Sequence, residues 1–461
     1  MFKKLLFPII LVLLLVSFSL SQSQVSYATL EGIVTSKDRI PVEGAKILVL
    51  GTDCTAVSDE EGKYFIKNIP VLGEEEKFLI EVIEPNNNAV VVSNTFSIRS
   101  GLNKIDFQIS LSNTFSKYYG DFRWESPFSV KETRDANYII SGISSYAPRN
   151  NIYLLKIDKY GRKIWGRTYL INKNFANSYV IEDDKGYLIS ATSNDGDIHL
   201  LKTSTDGGFL WEAVYGRPDR VETVNNVILT DAGDYLVVGK IKTLDKDGKS
   251  YIVDALVIKF DKNGNKLWDV IFGEKDDDEF SDAIQARNGD FILAGTFDIS
   301  GLSKGVIYRI DKDGRLIWNK KLSGEGPVRG ERLIPTDQGY LVGGYTYKDL
   351  RHGFYLAYFN DKGDILWRKN YNSKGLGLYL KTISMVKQYF VVAGYFMKDS
   401  INKPYIMITD FKGEAIDEVM METSPRGGIT SSITTKDLYT VFVGFRQDED
   451  NKDIWLYKTK Y

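Results

Sequence analysis

One short motif recurs through most of this chain, and its recurrence limits the fold more than any other feature. It is a tight turn closing on glycine: DKYG at Gly161, STDG at Gly207, DKNG at Gly264, DKDG at Gly314, NDKG at Gly363 and DFKG at Gly413. The intervals run from 46 to 57 residues. Four residues beyond the first five turns stand Trp165, Trp211, Trp268, Trp318 and Trp367, while the sixth has Asp417. Upstream of each turn lies a second motif, typically an aromatic residue, three apolar or small residues and glycine, as in YLVVG ending at Gly239 and FILAG ending at Gly295. It occurs seven times, with Ala191 in the glycine place of the second copy.

Each unit reads as four strands. In the fourth unit these are SDAIQAR, DFILAGTF, GVIYRID and RLIWNKKL. Repeated units of about 40–50 residues with four strands are the mark of a β-propeller blade. Seven units predict a seven-bladed β-propeller over 113–461. The C-terminal DIWLYKTKY aligns with NIYLLKIDK of the first unit, a third strand with no fourth after it. FSKYYG (115–120) matches WEAVYG and WDVIFG, which end fourth strands, with Phe115 in the tryptophan place. Residues 113–120 are therefore expected to pair with 452–461 and leave no long sheet edge. The pattern resembles the repeat K-x-D-x-x-G-x-x-x-W-x-x-x-[YF]-G of secreted bacterial and archaeal propellers, a looser relative of the quinoprotein-type repeat. That resemblance implies a fold, and a fold alone does not give a function.

Residues 27–111 differ. ATLEGIVTS alternates, RIPVEGAKILVLGT brings a turn and an apolar strand, and SDEEGKYFIKNIP, KFLIEVI and NKIDFQISL follow. Alternation punctuated by Gly, Pro, Asn and Asp predicts a small antiparallel β-sandwich. Gly32 with Val34, Pro41-Val42, Gly44-Ala45, Gly51-Thr52, Asp59, Gly62, Phe65 and Asn68-Ile69-Pro70 resemble the carboxypeptidase regulatory-like domain, a transthyretin-like sandwich. Where that family usually has a Gly-aromatic pair, this chain has Glu84-Pro85. The resemblance implies a non-catalytic accessory module, and no functional residue carries over.

The chain opens with Lys3 and Lys4 ahead of an apolar run of 12 residues, Leu5 to Val16, followed by small and polar residues. This is the layout of a secretory signal peptide, here 1–24. Even extended to Leu20 the run is shorter than the roughly 20 residues of a spanning helix. The chain is expected to be exported, whether secreted, periplasmic or at the cell surface, and to touch a membrane only through this segment if uncleaved. Its one cysteine, Cys54, cannot form an intramolecular disulfide and reads as a small buried side chain in a strand. A formal charge of −2 offers no field for a polyanion, so nucleic acid is not an expected partner.

The chemistry must be weighed against the repeat. DKNGN looks like the start of a calcium loop, but position 12 counted from Asp261 is Phe272, and from Asp311 it is Leu322, where an EF-hand needs a bidentate Glu. A hairpin whose glycine supplies positive φ explains the motif without metal. The insertion 244–254 carries Asp245, Asp247 and Asp254, which read as a solvated loop. A quinone cofactor would need its own polar ligands and an aromatic floor, usually in a ring of eight blades. No cofactor and no metal is expected. The two histidines, His199 and His352, accompany no nucleophile motif such as G-x-S-x-G, and no catalytic residue is assigned. The acidic run 274–282 reads as a solvated face, although paired carboxylates could support glycoside hydrolysis.

Binding fits better. In a propeller, the connections before the first strand and between the second and third share one face. Here that face collects 121–128, 170–177, 216–222, 273–281, 323–331, 372–379 and 423–430, with insertions at 243–254 and 398–404. Loops on a rigid scaffold are where function concentrates. Trp124, Phe128, Arg149, Arg220, Arg329, Arg351 and Tyr379 lie near it and are of the types favoured in recognition. The expected function is that of an exported, non-catalytic binding or scaffold protein whose partner is a protein or glycan at the cell surface. Two alternatives stand beside it: a polysaccharide-active enzyme using acids at the channel mouth, and a structural component of a cell-envelope assembly.

Overall fold

The computed structural model describes residues 25–461 except 121–122, 147–148, 245–247, 249, 274–276, 300–301, 323–325, 349–350, 373–375, 422–425 and 449–450. The expected leader 1–24, with Asp245 and Asp247, thus lies outside the described residues. Among the described residues all regular structure is β-strand, and no helix is long and apolar enough to cross a membrane. The chain divides into two compact units between Ser112 and Asn113.

The N-terminal unit has two four-stranded sheets. In one, Val25–Ser36 lies between Lys63–Leu72 and Gly101–Lys104 and also pairs with Phe107–Ile109. The other runs Thr55–Val57, Lys46–Val49, Glu75–Ile83, Val90–Arg99. Alternate residues Ala28, Leu30 and Val34 of the long first strand are buried, as period-2 patterning requires. They share one core with Ile47, Val49, Ile80 and Val82 of the other sheet. The pairing is not purely antiparallel, which corrects the expectation from sequence: Gly101–Lys104 and Phe107–Ile109 run parallel to Val25–Ser36. One side of that strand is taken by antiparallel Lys63–Leu72. The chain returning from the second sheet occupies the other side in the same direction. Cys54 is a free, half-buried thiol just before the strand Thr55–Val57 rather than inside it. Its Sγ lies 3.6 Å from the Asn68 carbonyl oxygen.

Beyond Asn113 the strands come in fours. Phe175–Glu182, Tyr187–Ser193, Ile198–Thr203 and Phe209–Tyr215 form one antiparallel sheet in that order, and the sets within 220–272, 279–321, 328–371 and 377–420 do the same. The first set (124–169) and the last (426–459) belong to a single eight-stranded sheet, bridged where Trp124 meets Lys452. Phe115–Tyr119 completes it, antiparallel to Lys452–Thr459. Numbered as repeats 1 to 7 in chain order, each set's first strand neighbours that of the next, and those of repeats 1 and 7 also neighbour each other. The architecture is propeller-like.

The second strands explain their continuous apolar runs. In repeat 3, Tyr235 and Val237 pack with Ile181 and Leu188 of repeat 2. The alternate residues Leu236 and Val238 pack with Phe280 and Phe291 of repeat 4. Such a strand has no solvent face, so both alternations are hydrophobic.

The outer strands explain the recurring turn. Asp261 Oδ1 accepts hydrogen bonds from the backbone N–H groups of Asn263 and Asn265, both at 2.8 Å. Gly264 N donates to the Asp261 carbonyl at 3.0 Å. Gly264 has φ +84°, and a Cβ there would lie 2.8 Å from the Trp211 ring of the preceding repeat. Trp165, Trp268, Trp318 and Trp367 lie in the same way against Gly207, Gly314, Gly363 and Gly413, and Phe115 against Gly161. The Tyr119, Tyr169 and Tyr371 hydroxyls donate to the carbonyls of Gly161, Gly207 and Gly413 at 2.6, 2.8 and 2.5 Å. The turn glycine thus serves its own hairpin and makes room for the ring next door.

Candidate binding site at the mouth of the inner strands

Every first strand carries one register shift. The extra residues are Phe128, Ala176, Asn225, Ser281, Glu331, Lys381 and Thr430. A bulge re-aims side chains, and all but Ala176 line a common cavity of about 270 Å³ at the end where the first strands begin. A deeper chamber of about 530 Å³ extends toward the other end, where Pro335 and Thr434 close two of the strands. Phe128, Tyr179 and Arg332 line both spaces. The Phe128 and Tyr179 rings meet edge-on there, with centroids 6.2 Å apart.

Above the bulges, cross-strand pairs ring the mouth. Arg329 stands opposite Tyr345, and Tyr379 opposite Tyr395. Thr223 stands opposite Lys240, and Glu279 opposite Thr296. The Tyr379 and Tyr395 rings stack at 4.9 Å with an interplanar angle of 18°. The Arg329 guanidinium lies 6.0 Å from the Tyr345 ring centroid. His352 sits among three rings, 5.2 Å from Tyr345, 4.9 Å from Tyr347 and 4.6 Å from Tyr379. Burial, then the Arg329 charge, lowers its pKa, so the imidazole is held neutral. Burial pushes the Tyr345 phenol up to about 12. On the polar side, Lys240 Nζ donates to Glu279 at 3.0 Å, and Arg329 Nη1 lies 3.8 Å from the same carboxylate. The arrangement offers flat aromatic area, one guanidinium and a neutral imidazole beside an ion-paired acid.

Of the residues singled out from sequence, Arg329 and Tyr379 meet in this cluster through Tyr345, whose ring lies 6.1 Å from that of Tyr379. Arg220 is turned inward, with its Nε 3.8 Å from Oε1 of the fully buried Glu222. Burial lifts Glu222 to a pKa of about 7, the Arg220 charge opposing and the Asp197 charge adding to the shift. Trp124 and Arg149 are exposed on repeat 1, at the same end of the strands but outside the aromatic cluster. The Arg351 side chain lies outside the described residues. His199 is buried elsewhere, its Nδ1 2.6 Å from Glu212 Oε1. Sequence reasoning passed over Tyr345, Tyr347 and Tyr395, and weighed His352 only for catalysis. The signal was an aromatic directly after the strand glycine, in Gly344-Tyr345 and Gly394-Tyr395, where repeats 2 to 4 have Thr192, Lys240 and Thr296.

No family model matches this chain, and no curated protein does. Among solved structures it is similar to the Dos1 propeller, with 13% identity over 72% of this chain and 81% of that one, at a TM-score of 0.43. It is also similar to Sqt1 of Chaetomium thermophilum, solved bound to the N-terminus of ribosomal protein L10, with 11% identity, 74% and 98% coverage and a TM-score of 0.46. Raptor of the same organism aligns at 10% identity over 75% of this chain and 29% of its own, with a TM-score of 0.46. The likeness concerns a propeller-like, all-β fold.

Proposed function

We propose that this chain is an exported, non-catalytic binding protein whose mouth cluster docks a protein segment at the cell surface. In this reading 25–112 is a small β-sandwich of the carboxypeptidase regulatory-like kind that acts as a spacer. Residues 113–461 are a seven-bladed propeller of quinoprotein-like repeat type, closed by Phe115–Tyr119 on Lys452–Thr459. The antiparallel register of those two strands supports closure, and the leader-like N-terminus supports export. The observation that carries the binding reading is the cluster of Arg329, Tyr345, Tyr347, His352, Tyr379 and Tyr395. Aromatic and Arg side chains gathered in one patch are the usual anchors of recognition.

The test is a screen of the purified protein against immobilised peptides and glycans, repeated with Tyr379→Ala and Tyr347→Ser. Peptide binding that both substitutions weaken by about tenfold or more supports the reading. Binding unchanged by either, or confined to glycans, overturns it. A hydrolytic reading has one observation in its favour, because Glu279 and Glu331 line the same mouth cavity. Reducing sugar released from a polysaccharide, and lost in Glu331→Gln, would establish that reading instead.

A further inference from the structure

The deeper chamber has a chemistry that the mouth does not use. Its wall holds two cations, Lys131 and Arg332, and one carboxylate, Asp282. The carboxylate is already occupied. Asp282 Oδ1 accepts from Asn226 Nδ2 and from the Ala283 N–H, and Oδ2 accepts from the Leu333 N–H at 2.8 Å. Arg332 Nη1 donates to the Glu331 and Ser281 carbonyls at 2.7 and 3.5 Å. The Lys131 ammonium has no hydrogen-bond or ion-pair partner among the described residues. Two hydroxyls on the same wall, Ser384 Oγ and Thr434 Oγ1, are also buried without partners, and Ser384 as a residue is only 5% exposed. Burial holds Lys131 below the ordinary lysine range; Asp282 opposes this and Arg332 adds to it.

We infer that this chamber is a binding site for a small carboxylate monoanion, held by Lys131 and Arg332 with hydroxyls from Ser384 and Thr434. On this wall two positive charges against one spent carboxylate leave a single excess positive charge, which one monoanion neutralises, while Glu279, Glu331 and Lys381 belong to the adjoining mouth cavity. A half-buried cation without a partner is unfavourable, and a bound anion both relieves that cost and accepts from the idle hydroxyls. The charge is that of the chamber alone and needs no ligand at the mouth.

The probe is acetate, with chloride as the comparison at equal ionic strength. Thermal unfolding of the full chain is expected to shift upward and saturably with acetate. Lys131→Met should abolish the acetate-specific part of the shift, and Ser384→Ala should weaken acetate by about tenfold or more, the loss typical of a hydrogen bond to a charged group. Lys131→Met should also melt higher than the natural chain without acetate, since it removes an uncompensated charge. If it fails to fold, that part of the argument is wrong. An equal response to chloride would make the site a general small-anion site and overturn the carboxylate assignment. The same response in the natural chain and in Ser384→Ala, or a crystal grown in acetate with only water in the chamber, would overturn the site altogether. None of these outcomes depends on whether the mouth binds a peptide.

Discussion

The outer strands and the mouth of the inner strands are built from the same repeats, yet they use them in opposite ways. At the rim, six turns place a glycine between φ +74° and +87°, each against a ring from the neighbouring repeat. The neighbour's ring is Trp five times and Phe once. At the mouth, the equivalent cross-strand pairs differ across repeats 3 to 6, from Thr223 with Lys240 to Tyr379 with Tyr395. The rim meets one backbone demand over and over, and few side chains satisfy it. The mouth lines open space, where the backbone is set by the bulge and the side chain is free to vary. Variation there is what a surface that recognises something needs.

The largest effect expected from breaking this contrast lies where the rim joins its ends. Deleting 452–461 removes a strand that pairs on one side with Thr440–Gln447 and on the other with Phe115–Tyr119. It also removes the buried Ile454, Leu456 and Lys458. The loss should approach the whole stability of a domain, about 5–15 kcal/mol. Denaturant unfolding followed by tryptophan fluorescence should lose its cooperative transition. An unchanged transition would show that the strand is dispensable and that the first and last repeats are not held together there.

One step smaller is the rim turn itself. Gly264→Val forces a β-branched residue to positive φ and drives its Cβ into Trp211, which should cost about 3 kcal/mol or more. Trp211→Ala, which empties the same contact from the other side, should cost about 2–4 kcal/mol. The two effects should not add in the double variant, because one contact is removed in both. Additive losses would mean that the glycine serves only its own hairpin.

Near the start of the first strand of repeat 3, next to Thr223 of the mouth, stands Glu222, the acid that Arg220 approaches. Its pKa of about 7 lies above the ordinary glutamate value of 4.5. Between those values the native state keeps a proton that the unfolded chain has released. Stability from this group is therefore complete below pH 4.5 and is lost as pH rises through 7. Glu222→Gln should be more stable than the natural chain at pH 8 by about 1–3 kcal/mol, with the gap closing near pH 4. Denaturant midpoints at the two pH values measure it. A gap that does not change with pH would mean Glu222 is ionised and paired throughout.

These differences follow how much of the molecule could be read in advance. The all-β class and the repeat were visible because Asp261, Gly264 and Trp268 stand at fixed offsets that recur, and a recurring backbone need leaves a recurring residue. The parallel arrival of Gly101–Lys104 beside Val25–Ser36 was not visible, since strand direction in a sheet is set by how the chain returns and not by local alternation. The mouth was half visible. Arg329 and Tyr379 stood out as side chains near predicted loops, but Tyr345 and Tyr395 lie inside second strands that otherwise read as buried. What makes them face the mouth is their pairing with Arg329 and Tyr379 across the register shifts at Glu331 and Lys381. A bulge has no residue signature of its own here, because its seven extra residues include Phe, Ala, Asn, Ser, Glu, Lys and Thr.

The smallest effect on stability is expected at Tyr347, and there it discriminates best. The residue is 40% exposed, and its ring meets His352 at the edge of the cluster. Tyr347→Ser should change stability by no more than about 0.5 kcal/mol, as surface substitutions usually do. A rim residue such as Trp211 cannot be truncated so cheaply. If the mouth is the recognition surface, Tyr347→Ser separates folding from binding: the melting curve overlays that of the natural chain while peptide affinity falls. Should the melting curve move by as much as it does for Trp211→Ala, Tyr347 is part of the packing. The aromatic cluster would then belong with the rim as a structural element, and the contrast between the two ends of the repeat would fail.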